Sequence, residues 1–325
     1  MGLYGRPRSS FPLKDVDLQG QIGDNMSFLE GTSNRAIRLA YGPGAFQFGD
    51  LRLPTGPGPH PTVVLIHGGY WRSRYGLKLM TGLAKDLAAR GYAAWNIEYR
   101  RVGNSGGGWP GTFLDVARAA DYLREIAPHY ALDLRRVVPI GHSAGGHLAL
   151  WLAGRPRIPA GDPLAGSNLK EALHPCGENS VPVGARVVGS GREGLYGTLS
   201  GGQVCPLVPA GAISLAGVVD LALAWQLHLS MDAVVELLGG TPDEVPERYA
   251  ATSPAALLPL GVPQVLFHGT ADVHVPIEVS RTYAKAALAA NDPVTYIELP
   301  GVDHFDVIDP RSGAWAKTIE ALCQF

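Results

Sequence analysis

The sequence predicts an α/β fold in which a mostly parallel sheet is covered by helices on both faces. Two observations support this fold. First, short apolar runs occur at residues 62–66, 137–140 and 264–268, and such runs are typical of parallel strands buried on both faces. Second, longer runs with helical character separate them, and strands that alternate with helices favour right-handed crossovers in one sheet.

The predicted elements follow one another from residue 45 to the C-terminus. Strands are expected at residues 46–53, 62–66, 92–97, 137–140, 212–215, 264–268 and 294–299. Helices are expected at residues 77–90, 112–127, 221–238, 277–290 and 312–322. Gly91 suits the end of the first helix, and Pro128 is expected to stop the second. The helix at 221–238 is expected to split near Ser230.

One domain with additions is the simplest organisation, because no internal repeat or second compositional regime occurs. Residues 1–44 are expected to form an N-terminal arm or cap segment, and residues 45–325 the main α/β domain. Residues 155–208 are rich in glycine and proline, which predicts an irregular insertion after the helix that follows Ser143. Whether the arm or the insertion forms a lid is left open. Cys176 and Cys205 lie in the insertion and are expected to be free thiols, with a disulfide between them as the alternative.

Composition excludes several classes of protein. The 325 residues are 46% hydrophobic and 17% charged, with a net charge of −2. Such a balance is ordinary for a globular protein and gives no electrostatic reason to expect nucleic acid or an anionic membrane as a partner. Three cysteines do not suggest a disulfide framework, and neither a signal peptide nor a membrane-spanning run is recognised. We therefore expect a cytoplasmic protein, and a homodimer is left open.

The most informative stretch is the turn Gly141-His142-Ser143-Ala144-Gly145. It follows the apolar run at 137–140 and precedes a helical run, which is the strand–turn–helix context that G-x-S-x-G requires of a nucleophile elbow. Small residues flank the serine because strand and helix must approach closely at a strained turn. A structural glycine turn with an idle serine is the alternative for this string taken alone.

An acid and a base follow the last two predicted strands of the sheet. Asp272 comes after the strand at 264–268, and His304 comes after the strand at 294–299. A serine hydroxyl needs a base within hydrogen-bond reach and a carboxylate that orients the base. The carboxyl ends of parallel strands share one edge of the sheet, so we expect Ser143, Asp272 and His304 to form a catalytic triad there.

An oxyanion site is expected in the segment His67-Gly68-Gly69-Tyr70-Trp71, which follows the apolar strand at 62–66 directly. Glycines in such a segment let the backbone approach a tetrahedral oxyanion and donate N–H groups to it. Ala144, the residue after the candidate nucleophile, would supply another donor.

From about residue 45 onward the chain resembles the α/β-hydrolase fold family. Four motifs occur in order: H-G-G-Y-W at 67–71, G-H-S-A-G at 141–145, H-G-T-A-D at 268–272, and the late histidine His304. The H-G-G-Y-W segment is similar to that of the hormone-sensitive-lipase-like carboxylesterases and, more closely, of the kynurenine formamidases (arylformamidases). This resemblance implies that the N–H groups of Gly69, Tyr70 and Ala144 bind the oxyanion and that Gly68 shapes the turn. The sequence departs from the lipase-like H-G-G-G form at Tyr70.

Rival residues and pocket residues complete the expected site. His274 is a second candidate base and Asp220 a second candidate acid, although both are ranked below His304 and Asp272. Three tryptophans are expected to line a substrate pocket: Trp71, Trp109 and Trp225. No cofactor is expected, and no metal site is expected because the histidines are scattered without ligand spacing.

Together these residues predict a serine hydrolase that cleaves small carboxylic esters through an acyl-enzyme. An amidase of the arylformamidase type, acting on an N-formyl aryl amine, is the alternative within the same fold. A peptidase, an acyltransferase and a catalytically inactive binding scaffold are less favoured. The expected partner is thus a small-molecule ester or amide, whose identity and acyl chain length the sequence does not specify.

Overall fold

A computed structural model describes residues 35–165 and 206–325 of the chain. Most of the predicted arm, both insertion cysteines and most of the insertion lie outside these residues. Within the described residues, eight strands form one sheet in the order β1-β2-β4-β3-β5-β6-β7-β8. The strands are β1 (Ile37–Ala40), β2 (Phe48–Arg52), β3 (His60–Ile66), β4 (Ala93–Ile97), β5 (Leu132–His142), β6 (Ala212–Leu215), β7 (Gln264–Gly269) and β8 (Val294–Leu299).

The sheet is mostly parallel, as predicted. The six strands from β4 to β8 in that order run parallel to their neighbours, whereas β1 and β2 pair antiparallel at one edge. Strand β1 occupies residues that the sequence analysis placed in the arm, so the sheet begins before residue 44. A four-residue strand with only partly buried side chains has too little apolar patterning to be recognised from sequence.

Helices cover both faces of the sheet. They are α1 (Thr81–Ala89), α2 (Gly111–Asp121), α3 (Leu123–Tyr130), α4 (Ala144–Gly154), α5 (Leu221–Gln226), α6 (Ala233–Leu238), α7 (Pro246–Thr252), α8 (Pro254–Leu257), α9 (Glu278–Ala289) and α10 (Gly313–Leu322). Short 3₁₀ segments occur at Leu77–Met80, Arg155–Arg157 and Asp306–Ile308. In these parts of the chain, no helix has the length and apolar character needed to cross a membrane.

Two helix boundaries differ from the sequence prediction or refine it. Helix α3 continues to Tyr130 instead of ending at Pro128, because Ile126, Ala127 and Tyr130 are buried and hold its last turn on the core. The predicted split near Ser230 is confirmed: α5 and α6 are separated by a turn in which Ser230 and three other residues have positive φ.

Alternate side chains of β3 enter two different core layers, which explains why this strand is apolar throughout. Val64 and Ile66 face the layer that contains α2, α4 and α9, while Val63 and Leu65 face the layer that contains α1 and α10. Every residue of α4 is buried, so this helix is enclosed by protein on all sides.

The order of the central strands creates a position for a site at one edge of the sheet. Strand β3 lies between β4 and β5, so its two neighbours are reached by crossovers in opposite directions. Ile66 at the end of β3 pairs with Gly141 near the end of β5. Such a switch point opens a crevice at the carboxyl ends of the strands. The segment after Ile66 and the turn after His142 therefore leave the sheet side by side.

We expect Gly145→Ala to destabilise the fold by about 1–3 kcal/mol, the usual effect of overpacking a buried contact. A Cβ at Gly145 would overlap the carbonyl oxygen of Ile66 and lie 2.7 Å from that of His67, and neither backbone atom can move aside easily. Gly313→Ala is the matched control: Gly313 also lies in the first turn of a helix, but a Cβ there would meet nothing within 4 Å. Urea unfolding of both variants measures the difference, and equal stabilities would contradict this steric account.

Candidate active site

Ser143 occupies a strained turn between β5 and α4. Its backbone has φ 56° and ψ −121°, an unfavourable conformation for a residue with a side chain. The turn is held by neighbouring backbone, because Ser143 N–H donates to the Leu215 carbonyl at 2.9 Å and the Ser143 carbonyl accepts from Val218 N–H at 3.3 Å. The strain is thus supported by β6 and the loop after it, and Ser143 lies at the N-terminus of α4.

The structure brings Asp272 and His304 together. His304 Nδ1 lies 2.6 Å from Asp272 Oδ2, and the Asp272 side chain is fully buried. Asp272 Oδ1 also accepts the backbone N–H groups of His274 at 2.8 Å and Val275 at 2.9 Å. Burial opposes ionisation, but the hydrogen bonds from His268 and His304 outweigh it and hold the pKa of Asp272 well below its usual range. The carboxylate is therefore ionised and fixed in orientation.

His142 connects the loop of His304 to the serine turn. Its Nε2 donates to the His304 carbonyl oxygen at 2.8 Å, and the two rings are 4.5 Å apart. Because His142 directly precedes Ser143 in the chain, this bond holds the His304 loop next to the serine. Burial, with the charge of neighbouring His304 as a smaller cause, lowers the pKa of His142 to about 3. His142 is therefore a neutral donor near neutral pH and does not act as a proton-accepting base.

The segment at 67–71 lies against the serine turn. A Cβ at Gly68 would come within 2.7 Å of the His142 carbonyl oxygen and 2.9 Å of Ser143 Cβ, so only glycine fits there. Gly69 has φ +112°, which also favours glycine. Tyr70 and Trp71 follow with φ 49° and 55°, so the backbone is curled over several residues.

His67 anchors the base of this segment. Its Nδ1 donates to the Gly68 carbonyl at 2.8 Å, and its Nε2 lies 2.9 Å from Glu98 Oε1. The ring stacks on Tyr99 at 4.4 Å, and the Tyr99 hydroxyl donates to the His67 carbonyl. Burial opposes ionisation of Glu98, yet the bond from His67 and the charge of Arg101 hold the pKa of Glu98 below its usual value. Glu98, which directly follows β4, is thus a further support of the segment, and it lies outside the motif at 67–71.

The side chains of Tyr70 and Trp71 hold the end of the segment. The Tyr70 hydroxyl donates to the His274 carbonyl at 2.6 Å, which joins the segment to the loop of Asp272. Trp71 Nε1 donates to His147 Nδ1 at 3.2 Å, and His147 Nε2 donates to the Thr252 carbonyl at 2.9 Å. Only 1% of Trp71 is exposed, so it packs in the core, contrary to the expectation that it lines a substrate pocket. Its two polar neighbours explain the difference, since the indole N–H needs a buried acceptor.

The other predicted pocket residues are partly buried against the same core. Trp109 packs near Phe113 with ring centres 6.1 Å apart, and its backbone N–H donates to the Leu237 carbonyl. Trp225 lies on α5 and is also partly buried. Neither is joined by a hydrogen bond to the triad residues in the described part of the chain.

The two rival residues have other contacts. Asp220 caps α5 by accepting the Leu223 N–H at 3.0 Å. The His274 ring is exposed and lies 5.2 Å from the His304 ring, while its backbone atoms contact Asp272 and Tyr70. The acid that the structure places on His304 is therefore Asp272.

Two residues near the site were not identified from sequence as site residues. His268 lies near the end of β7, and its Nε2 is 3.3 Å from Asp272 Oδ2. It is the first residue of the H-G-T-A-D motif, but no role of its own was assigned to it from the sequence. Phe305 follows His304, is 47% exposed, and packs its ring against His142, His274 and His304. Across residues 35–165 and 206–325, no group of three or more His, Cys, Asp or Glu is arranged to hold a metal ion.

The sheet order, the strained serine turn and the loops after β3, β7 and β8 define the α/β-hydrolase fold. Comparison with solved structures agrees. A truncated carbohydrate esterase from gut microbiota superposes with a TM-score of 0.67 at 20% identity, covering 91% of this chain and 97% of that one. A thermophilic esterase of Thermogutta terrifontis gives a TM-score of 0.62 at 22% identity, covering 90% and 92% of the two chains.

Sequence comparison finds one matching family model and relatives that are named as esterases. The family model described as BD-FAE matches residues 50–158. Esterase LipC of Mycobacterium tuberculosis is 29% identical over 292 residues, which is 87% of this chain and 63% of LipC. Esterase LipQ of the same organism is 26% identical, covering 83% of this chain and 57% of LipQ. The chain thus spans less than two thirds of the length of these two relatives.

Burial of His142 and His147 predicts a loss of stability in mild acid. Burial lowers the pKa of His147 to about 4 and that of His142 to about 3, below the ordinary 6.5. The unfolded chain therefore takes up protons first as the pH falls below 6.5, and the free energy of unfolding decreases by on the order of 1 kcal/mol per pH unit for each histidine until its folded pKa is reached.

Urea unfolding between pH 7 and pH 4 measures this dependence. His147→Gln removes one of the two contributions, so its stability should fall less steeply with decreasing pH than that of the unsubstituted protein. An identical slope in the two proteins would show that His147 does not contribute.

Proposed function

We propose that this chain is a serine hydrolase that cleaves small carboxylic esters through an acyl-enzyme on Ser143. The observation that carries the proposal is the hydrogen bond between His304 and buried, ionised Asp272, in a loop that His142 fastens beside Ser143. A serine in an elbow becomes a useful nucleophile only with such an oriented base.

In the proposed mechanism His304 accepts the proton of the Ser143 hydroxyl as its oxygen attacks the ester carbonyl. Asp272 holds the imidazole in position through Nδ1 and stabilises its cation. The leaving alcohol takes the proton from His304, and an acyl-enzyme remains on Ser143. Water then gives a proton to His304 as it attacks the acyl carbon. His304 returns that proton to the Ser143 oxygen as the acyl bond breaks and the acid leaves.

The oxyanion is proposed to bind the backbone N–H groups of Gly69, Tyr70 and Ala144. Positive φ at Gly69 and Tyr70 curls this segment beside the serine turn, and Ala144 is the first residue of α4, where backbone N–H groups favour negative charge. Gly68 permits the contact of this segment with the serine turn. Removing one such donor typically costs about 10²–10³ in turnover.

The names of relatives support an ester substrate. LipC and LipQ are named as esterases. Structures of the Thermogutta terrifontis esterase include one with propionate bound and one in which the protein is phosphorylated by paraoxon. Small acyl groups and reaction with organophosphates are properties of that protein, and we propose the same for this chain. An oriented serine beside an oxyanion site accounts for both properties.

The formamidase alternative uses the same residues and stays a prediction. A panel of p-nitrophenyl esters of increasing acyl length, with N-formylkynurenine included, compares ester and formamide turnover directly. A cytoplasmic location also stays a prediction from the sequence, while the sequence leaves open a homodimer and whether the arm or the insertion forms a lid.

We expect Ser143→Ala to lower kcat on p-nitrophenyl acetate by at least about 10⁴-fold, because the nucleophile is lost while the fold is kept. A fluorophosphonate probe should label Ser143 in the unsubstituted protein, and mass spectrometry of the labelled peptide locates the adduct. Ser105→Ala, in an exposed loop, is the control and should retain both activity and labelling. Ester turnover that survives in Ser143→Ala would refute the proposal.

A further inference from the structure

A second histidine contacts the carboxylate of Asp272. His268 is the fifth residue of β7, and its side chain has no exposed surface. Its Nε2 lies 3.3 Å from Asp272 Oδ2 and 2.9 Å from the Val275 carbonyl oxygen. Its Nδ1 lies 2.7 Å from the hydroxyl of Ser280, which is buried on α9. Nothing in the proposed mechanism above uses this histidine.

The partners of His268 determine where its proton lies. Both atoms near Nε2 are oxygens that can only accept, so Nε2 carries a hydrogen. The hydroxyl of Ser280 can donate, so it satisfies Nδ1 of the neutral ring. A neutral His268 with the proton on Nε2 therefore fits all three contacts.

Asp272 is surrounded by N–H groups as a result. Oδ1 accepts the backbone N–H groups of His274 and Val275, while Oδ2 faces His304 Nδ1 and His268 Nε2. The two imidazoles therefore share one oxygen. The Nε2–H group of His268 bonds the Val275 carbonyl and also lies 3.3 Å from Asp272 Oδ2. Since the positive end of an N–H group offsets charge on a nearby oxygen, this contact weakens the attraction that Asp272 exerts on a protonated His304.

We propose that His268 is a positioning residue of the site: it fixes the carboxylate plane of Asp272 through Nε2 and limits how strongly Asp272 holds the proton on His304. The inference rests on the proposed roles of Asp272 and His304. It acts through Asp272, since the contacts described for His268 are with Asp272, Val275 and Ser280 and none is with Ser143 or His304. A general base works best when its proton affinity lies near the working pH, so a moderated carboxylate favours proton release from His304.

Other ionisable groups near the pair are few, and each has a partner or a position of its own. Tyr70 and His274 lie on the outer side, joined by the Tyr70 hydroxyl. His142 lies on the serine side and donates to the His304 carbonyl. On β8, Glu298 is the pairing partner of His268 in the sheet, and its carboxylate bonds Arg281 at 2.7 Å.

Asp303, next to His304, is also occupied. Its carboxylate accepts the backbone N–H groups of Phe305 and Asp306, which holds the pKa of Asp303 below its usual value. Among the groups described, His268 is therefore the side-chain donor that competes with His304 for Asp272.

The first experiment compares pH profiles of kcat/KM for p-nitrophenyl acetate. In His268→Leu the competing donor is lost, Asp272 holds the His304 proton more tightly, and the acid limb should move to higher pH by about half a unit to one unit. His268→Gln places an amide N–H near the former Nε2 and should restore the limb to its original position. His60→Leu is the control for replacing a buried imidazole. His60 is the first residue of β3, at the end of the strand away from the site, so its replacement should not move the acid limb.

An unchanged acid limb in His268→Leu, or an equal shift in the leucine and glutamine variants, would overturn the proposal. A misplaced Asp272 would hold the His304 proton less tightly and move the acid limb to lower pH in both variants, so the direction of the shift separates this role from a merely structural one.

The second experiment locates the proton of His268 in the unsubstituted protein and uses His268→Gln only to assign its signals. Nitrogen-15 NMR of histidine-labelled protein identifies the ring nitrogen that carries the proton, and we expect the Nε2–H form for His268, with the His268 signals assigned by their loss in His268→Gln. The Nδ1–H form would leave no proton to give Asp272 and would overturn the inference even if His268→Leu did not fold. Because this readout does not depend on ester turnover, failure of the proposed hydrolase activity and failure of the His268 role are distinguishable.

Discussion

The close approach of three backbones around Ser143 is the constraint on which the rest of the site depends. Strand β5 ends there, α4 begins there, and the segment after β3 crosses beside both. Gly68, Gly141 and Gly145 lie at the contacts, and an added Cβ at any of them would meet backbone atoms of a neighbouring segment. The positive φ of Ser143 is maintained because β6 and its following loop bond both ends of the residue. Without this packing the serine would have no fixed position relative to the segment at 67–71.

Partner chemistry separates the five buried histidines near the site into two groups. His67, His268 and His304 each lie within 3.3 Å of a carboxylate oxygen, from Glu98 or Asp272. The hydrogen bonds of His142 and His147 go to carbonyl oxygens and an indole N–H, so no carboxylate opposes burial, which lowers the pKa of both rings. Histidines beside carbonyl oxygens thus act as neutral, fixed donors, whereas a carboxylate lies beside those histidines that orient or carry a proton in the proposed site. This division explains how so many histidines can lie near one serine without mutual repulsion.

Sequence patterns were sufficient to predict a feature where a local structural requirement determines the residue type. The glycine-flanked serine, the apolar parallel strands and the order of Asp272 and His304 all followed from local rules, and the sheet confirms the predicted α/β class. Patterns failed where the reason lies in a distant partner. The role of Trp71 depends on His147 and Thr252, and that of His268 depends on Asp272 and Ser280. Strand β1 was missed because its recognition requires the register of β2.

Tyr70, which stands where the lipase-like motif has a third glycine, makes a contact that glycine could not make in the proposed oxyanion segment. A left-handed conformation at Tyr70 costs roughly 1 kcal/mol or more for a residue with a Cβ. Its hydroxyl compensates by bonding the His274 carbonyl, and burial followed by the charge of Asp272 raises the pKa of Tyr70 to about 12, so the hydroxyl keeps its proton. The neighbouring residues are held in the same way.

His67 contacts Glu98, Trp71 contacts His147, and the Arg72 guanidinium bonds the Glu236 carboxylate at 2.7 Å and Ser230 at 2.9 Å. A glycine at position 70 would leave this end of the segment free of the acid loop. With tyrosine, the oxyanion segment and the Asp272 loop are held as one unit before substrate arrives. Donors that are fixed in advance need no reorganisation as charge develops, and this is the condition under which backbone N–H groups stabilise an oxyanion most strongly.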